Sequence, residues 1–140
     1  MKIICVGKVK EKWIQAGCDH YVKSIGHFGK IDVLEIKDSS VKEEGKKLLE
    51  KSEESFLIAL DESGKQFSSR KFTEKIRKIN KDIVFVIGSS DGLSDDVKKK
   101  ADLLLGLSDM TFTHEMARLF LLEQVYRFHM ISNNRKYHRD

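Results

Sequence analysis

Three stretches of the chain hold residue types able to do chemistry. The first is Asn133-Asn134-Arg135-Lys136-Tyr137-His138-Arg139-Asp140. Tyr137 can stack on a nucleobase, Arg139 can grip a phosphate, and His138 titrates near neutrality. The same residues also make a solubilising basic tail, and their types alone leave both readings standing. The second stretch is Leu107-Ser108-Asp109-Met110-Thr111-Phe112, a mixture of small polar and apolar residues. It can wrap a ligand with backbone N–H and C=O groups between apolar walls. It can equally lead into a helix, with Thr113 as N-cap and Glu115 in the first turn.

The third stretch is Val86-Ile87-Gly88-Ser89-Ser90-Asp91-Gly92-Leu93. Its glycines suggest a nucleotide loop, yet it is neither G-x-G-x-x-G nor a P-loop, since no Gly-Lys-Ser/Thr follows. Asp91, Asp95 and Asp96 gather where the next helix begins. Three carboxylates there satisfy the helix dipole and repel a phosphate. NAD, ATP and GTP are therefore poor ligands for this loop, and a ligand without phosphate or with positive charge suits it. A plain strand-to-helix turn is the other reading. Glu115 with Arg118, and Glu123 with Arg127, are spaced as ion pairs along a helix.

The elements that must position these residues alternate along the chain. Strands are expected over Lys2–Gly7, Ile31–Lys37, Ser55–Asp61 and Lys81–Gly88, with a Ser-Gly turn at Ser63–Gly64 closing the third. Helices are expected from Glu11 to about Ile25, over Val41–Glu54, from a cap at Ser68 or Ser69 to about Ile79, and briefly from Ser94. Ala101–Ser108 is a further apolar segment, and Thr113–Ile131 is the longest helix. Strands alternating with helices, several of them continuously apolar, predict a parallel sheet flanked by helices, an α/β fold in a single domain over 1–140. Such sheets bind ligands beyond the carboxyl ends of their strands, here Gly7, Leu60–Gly64 and Gly88–Gly92. Thr113–Ile131 is apolar around most of its girth. It is expected to pack on the sheet on one side and on a twin subunit on the other.

Composition narrows the class. The chain has 140 residues, of which 40% are apolar and 34% charged, with both signs interspersed. That excludes a disordered, collagenous or coiled-coil protein. No apolar run reaches the 18 or so residues of a membrane span, and the opening MKIICVGKVKEKW does not read as a signal peptide. Cys5 and Cys18 lack metal-ligand spacing and read as reduced thiols, which points to the cytoplasm. The net charge of +4 hides an asymmetry: residues 1–30 carry six Lys against two acids, and residues 118–140 five basic residues against two acids. Basic ends attract polyanions, nucleic acid foremost.

These pieces occur in one order along the whole chain: Val6-Gly7, Leu60-Asp61 with Gly64, Ile87-Gly88 with Gly92-Leu93, and Leu107-Ser108 with Met110-Thr111-Phe112. His114, Arg118, Glu123-Gln124, Tyr126-Arg127 and Tyr137-His138-Arg139 follow. In this the sequence resembles the bacterial ribosomal RNA large-subunit methyltransferase H family, small members of the SPOUT (trefoil-knotted) methyltransferases. The resemblance implies a C-terminal trefoil knot and a homodimer. It also implies S-adenosylmethionine-dependent methylation of N3 of a pseudouridine in 23S rRNA, on the assembled ribosome, with no metal. It assigns cofactor contacts to Leu60, Gly88 and Leu107, Ser108, Asp109, Met110, Thr111 and Phe112. His138, Arg139 and Arg127 become the catalytic candidates, and Tyr137 and His114 stand beside the substrate. Tyr137, His138 and Arg139 would complete a neighbouring protomer's site. Three positions depart from the family pattern: Ser89 replaces a second Gly, and Thr113 and Lys136 stand where Pro is common. A non-catalytic RNA-binding α/β domain is the alternative reading of the same basic ends.

Overall fold

Isoleucine, valine and leucine fill the strands almost without interruption, and both faces of the resulting sheet are buried. The computed structural model describes residues 1–140. Its strands are β1 (Lys2–Val6), β2 (Asp32–Ile36), β3 (Phe56–Lys65), β4 (Ile83–Ile87) and β5 (Leu103–Leu105). They lie in the order β2-β1-β4-β3-β5, and every pairing is parallel. Its helices are α1 (Lys12–Ile25), α2 (Val41–Lys51), α3 (Ser69–Arg77), α4 (Asp95–Lys100) and α5 (His114–Ser132).

Because side chains alternate along a strand, each strand feeds two cores. Ile3, Cys5, Ile58, Phe85 and Ile87 meet Ile14, Cys18, Phe72, Ile76, Leu121, Leu122 and Val125 from α1, α3 and α5. Ile4, Val6, Leu57, Ala59, Val84 and Val86 face the other way, onto Leu48 of α2 and Val97 of α4. Burial pushes the Cys5 thiol up to about 12, so it behaves as a small apolar side chain. Both cysteines are free and buried.

One expectation changes. The segment after Leu60 does not end in a Ser63–Gly64 turn; β3 resumes and runs to Lys65. Leu105 pairs first with Leu60 and again with Lys65, so residues 61–64 bulge out between two contacts with one partner. Proximity explains the glycines there: a Cβ on Gly64 would lie 2.5 Å from the Gly106 nitrogen, and one on Gly106 would lie 2.6 Å from the Gly64 oxygen. Only two residues without side chains let these backbones touch.

The flanks of α5 pack on α1 and α3. Gly17 of α1 admits Leu119, and Tyr126 packs against Tyr21, Phe28 and Tyr137. Within the chain only Arg118, Leu121, Leu122 and Val125 of this helix are buried, and its other apolar residues stay half-buried. Trp13, Met110 and Phe112 are the aromatic or sulfur-bearing side chains left exposed.

Candidate active site

The carboxyl ends of β3, β4 and β5 open into a cleft of about 870 Å³. Leu60, Gly88, Leu107, Ser108, Met110, Thr111, Phe112 and His114 all line it, although they come from three separate parts of the sequence. Asp109 does not; its carboxylate turns away to accept from the Gln66 amide at 2.6 Å. The hydroxyl of Ser108 accepts from the Met110 N–H at 3.0 Å, which curls the 107–112 strap around the cleft. Gly88 is held tightly, because a Cβ there would sit 2.6 Å from the Gly92 oxygen.

The charge of the cleft is set by residues other than those the helix start suggested. Asp91, Asp95 and Asp96 lie outside its lining, whereas Asp61, Glu62 and Glu115 belong to it. Burial raises the Asp61 carboxyl, but the Ser63 hydroxyl, Lys98 and the Ser63 N–H outweigh that, leaving it below the ordinary carboxylate range. Lys98 Nζ lies 3.2 Å from Asp61 Oδ1 and is thereby neutralised. Glu115 is likewise held low: burial opposes ionisation, but the N–H groups of Glu11 and Lys10 donate to its Oε1 at 3.1 and 2.6 Å. The cleft is thus hostile to phosphate and hospitable to a cation.

A second cluster forms on the far side of the 107–112 strap, where the chain's last residues fold back onto α5 and α3. The Tyr137 hydroxyl donates to Glu123 Oε1 at 2.9 Å, and its ring lies under the Arg127 guanidinium, 4.7 Å from Cζ. Arg127 Nη2 donates to the same Glu123 oxygen, and Nη1 meets His138 Nδ1 at 3.2 Å. An arginine is always a donor, so Nδ1 accepts and the neutral ring carries its proton on Nε2. That nitrogen is 3.3 Å from Asp140 Oδ1. Asp140 is clasped in turn by Arg70 of α3, which holds its carboxyl below the usual range. Burial, then hydrogen bonds with Tyr21 and Glu123, push the Tyr137 phenol up, so it stays protonated at neutral pH. Arg139 is exposed, and Arg127 Nε is buried without a partner. None of Arg127, Tyr137, His138 and Arg139 lines the cleft of its own chain.

The family described as "Predicted SPOUT methyltransferase" matches residues 1–138. The chain is 41% identical over 155 residues to the ribosomal RNA large subunit methyltransferase H of Malacoplasma penetrans, with 99% of both chains covered. It is 43% identical over 143 residues to the protein of that name in Prochlorococcus marinus, covering 99% of this chain and 95% of the other. The chain belongs to the SPOUT methyltransferases, in the large-subunit methyltransferase H family. A probable methylase family protein from Haemophilus influenzae shares the fold, with a TM-score of 0.60 at 12% identity, covering 99% of this chain and 70% of that one.

Two of the three departures from the methyltransferase H pattern have local explanations. Thr113 replaces proline as N-cap of α5, its Oγ1 accepting from the Met116 N–H at 3.2 Å. Ser89 has no positive φ, so the second glycine is not required there for backbone reasons. Its hydroxyl reaches toward Glu44 of α2 at 3.4 Å, while its carbonyl closes the turn by accepting from the Gly92 N–H at 2.9 Å. Lys136 is exposed, and nothing in the structure explains it.

Sequence reading missed four residues of this methyltransferase's site. Asp61, Glu62 and Ser63 fall within the Leu60–Gly64 strand end without a role of their own, and Lys98 carries no local signal of its place in the cleft. Arg118 was paired with Glu115 by spacing. It is in fact buried, donating to Glu35 Oε2 at 2.6 Å and to the Gly7 carbonyl at 3.0 Å. Its neighbour Glu115 is taken up by the start of α1. Glu123 and Arg127 do pair as their spacing indicates.

Proposed function

We propose that this protein methylates N3 of a pseudouridine in 23S rRNA on the assembled ribosome, in the cytoplasm, as a homodimer. The observation that carries the reading is the acid-lined, phosphate-hostile cleft that gathers Leu60, Gly88 and the 107–114 strap at the carboxyl ends of the strands. The named relatives, matched along their whole length, supply the substrate class.

SPOUT methyltransferases take their methyl group from S-adenosylmethionine. The cleft fits that donor: it offers apolar walls at Leu60, Leu105 and Leu107, backbone groups along the strap, and a lining in which the acids Asp61, Glu62 and Glu115 outnumber Lys98, which suits a cationic ligand. When bound, the donor supplies an electrophilic methyl group on a sulfonium. Leu60, Gly88 and the strap residues Leu107, Ser108, Met110, Thr111 and Phe112 would hold it, and the tight Gly88–Gly92 contact fixes one wall. In-line methyl transfer depends chiefly on holding nucleophile and methyl in register.

The other requirement is departure of the N3 proton from a uracil ring. Arg127, held by Glu123, and the exposed Arg139 stabilise the anion that remains as donors to the developing charge. His138 accepts the proton on Nδ1 once that nitrogen leaves Arg127, and Tyr137 stacks on the base. These residues do not line their own chain's cleft, which supports a composite site in which one protomer's tail serves the other's cleft. The close Gly64–Gly106 crossing supports the knotted C-terminal threading that the family resemblance implies.

Calorimetric titration with S-adenosylmethionine, with ATP and NAD as controls, tests the cleft; methyl incorporation into intact ribosomes tests the substrate. Saturable binding of the methyl donor alone, followed by methylation of ribosomes but not of the isolated stem-loop, is expected. Absence of donor binding both with and without ribosomes would leave the RNA-binding module as the account.

A further inference from the structure

We infer that Glu123 is the positioning residue of the methyl-transfer site, the carboxylate that sets Arg127 and Tyr137 in place and, through Arg127, His138. The inference rests on the function proposed above and names a residue to which that reading gives no role.

Every neighbour of this carboxylate is a donor. Oε1 takes the Tyr137 O–H and the Arg127 Nη2–H together, and Oε2 takes the Gln124 amide at 2.7 Å. Gln124 is itself anchored, since its Oε1 accepts from the Ser69 hydroxyl of α3 at 2.7 Å. The side chain of Glu123 is 18% exposed and that of Arg127 22%, so the pair works largely out of water, where charge-assisted bonds are strongest. Glu123 and Arg127 are one turn apart on α5, whereas Tyr137 is fourteen residues on from Glu123. The helix therefore supplies a rigid base, and Glu123 transmits that rigidity to a tail that has no secondary structure of its own.

The geometry also gives Glu123 a reason to be ionised rather than merely polar. Arg127 has one partner that can neutralise it, namely Glu123; its other side-chain contacts are the His138 ring nitrogen and the Tyr137 face. Remove the charge and the guanidinium has only those weaker neighbours, turns toward solvent, and releases Nδ1 of His138. Tyr137 loses its acceptor at the same time. The three groups proposed to meet the substrate thus share one anchor, and that anchor touches neither substrate nor methyl donor.

The test compares Glu123→Gln, Glu123→Asp and the unaltered protein in three measurements. These are methylation of intact ribosomes, calorimetric affinity for S-adenosylmethionine, and the rate of trypsin cleavage at Arg135 and Lys136. Loss of one charge-assisted bond predicts a fall in kcat of about tenfold or more for Glu123→Gln. Donor affinity should stay within about twofold and tail cleavage should be faster. Glu123→Asp, which keeps the charge, should recover part of kcat. Equal kcat in Glu123→Gln and the unaltered protein would overturn the inference, as would parallel loss of donor affinity and kcat, which marks a residue that only holds the fold. If the unaltered protein methylates no ribosome, the functional reading falls by itself. Glu123 is then judged on the tail alone: unchanged cleavage in Glu123→Gln overturns its anchoring role, and faster cleavage sustains it.

Discussion

The cleft and the tail cluster solve different problems with different materials. The cleft is made of backbone and small side chains: Gly88 against Gly92, Gly64 against Gly106, and a strap curled by one serine hydroxyl. Its shape follows from the strands that end in it. The tail cluster is made almost wholly of charge and hydrogen bonds among Glu123, Arg127, Tyr137, His138, Asp140 and Arg70. Its residues have few apolar contacts to fall back on beyond the packing of Tyr137 on Tyr126. A shape-defined pocket suits a ligand that must be held the same way each time. A charge-defined cluster suits a proton or an anion that appears only during reaction.

That contrast predicts that the two regions can be broken separately. Deleting Tyr137–Asp140 should have the largest effect, abolishing methylation of ribosomes while calorimetric affinity for S-adenosylmethionine stays within about twofold; joint loss of both would show the regions to be one unit. Gly64→Ala strikes the other region. The new methyl would sit 2.5 Å from backbone atoms of Leu105 and Gly106, and an overpacked contact that cannot yield costs about 3 kcal/mol. Urea unfolding should show that loss, with donor affinity falling alongside stability, and an unchanged unfolding midpoint would mean that the two backbones can part to admit a methyl group.

The smallest effect sharpens the contrast within the cleft wall. Glu115 is held below its ordinary pKa by two backbone N–H groups after burial has pushed the other way. A carboxyl whose folded pKa is lowered contributes stability that is present above its unfolded value and disappears as pH falls through the folded one. Glu115→Gln should therefore cost about 1 kcal/mol at pH 7. The difference from the unaltered protein should vanish in acid, below the folded pKa of Glu115. Paired denaturation curves at neutral and acid pH check this, and a pH-independent difference would assign the effect to packing.

Much of the cleft was legible in the sequence because its contacts are contiguous. Leu107–Phe112 is one short strap, and Gly88 sits at the end of an unmistakable strand, so local pattern placed both. The acids that tune the cleft were not legible. Asp61 and Glu62 gain their meaning only because β3 bulges there and resumes, and Ser63–Gly64 in isolation looks like an ordinary turn. Arg118 shows the same limit. Spacing offered it Glu115 at helical distance, but burial beneath the ends of β1 and β2 gave it Glu35 and the Gly7 carbonyl, 83 and 111 residues away.

The sequence by itself determined the alternation of strands and helices and the two faces of the sheet. It also determined the helix caps at Ser40, Ser68, Ser94 and Thr113, because periodicity and capping are decided within a few residues. Only the tertiary structure decided the strand order, the crossing of Gly64 with Gly106, the cover that α1 and α3 give α5, and the convergence of three donors on Glu123. Those depend on which distant surfaces can approach without leaving a charge or a backbone group unpaired, and no local spacing records that.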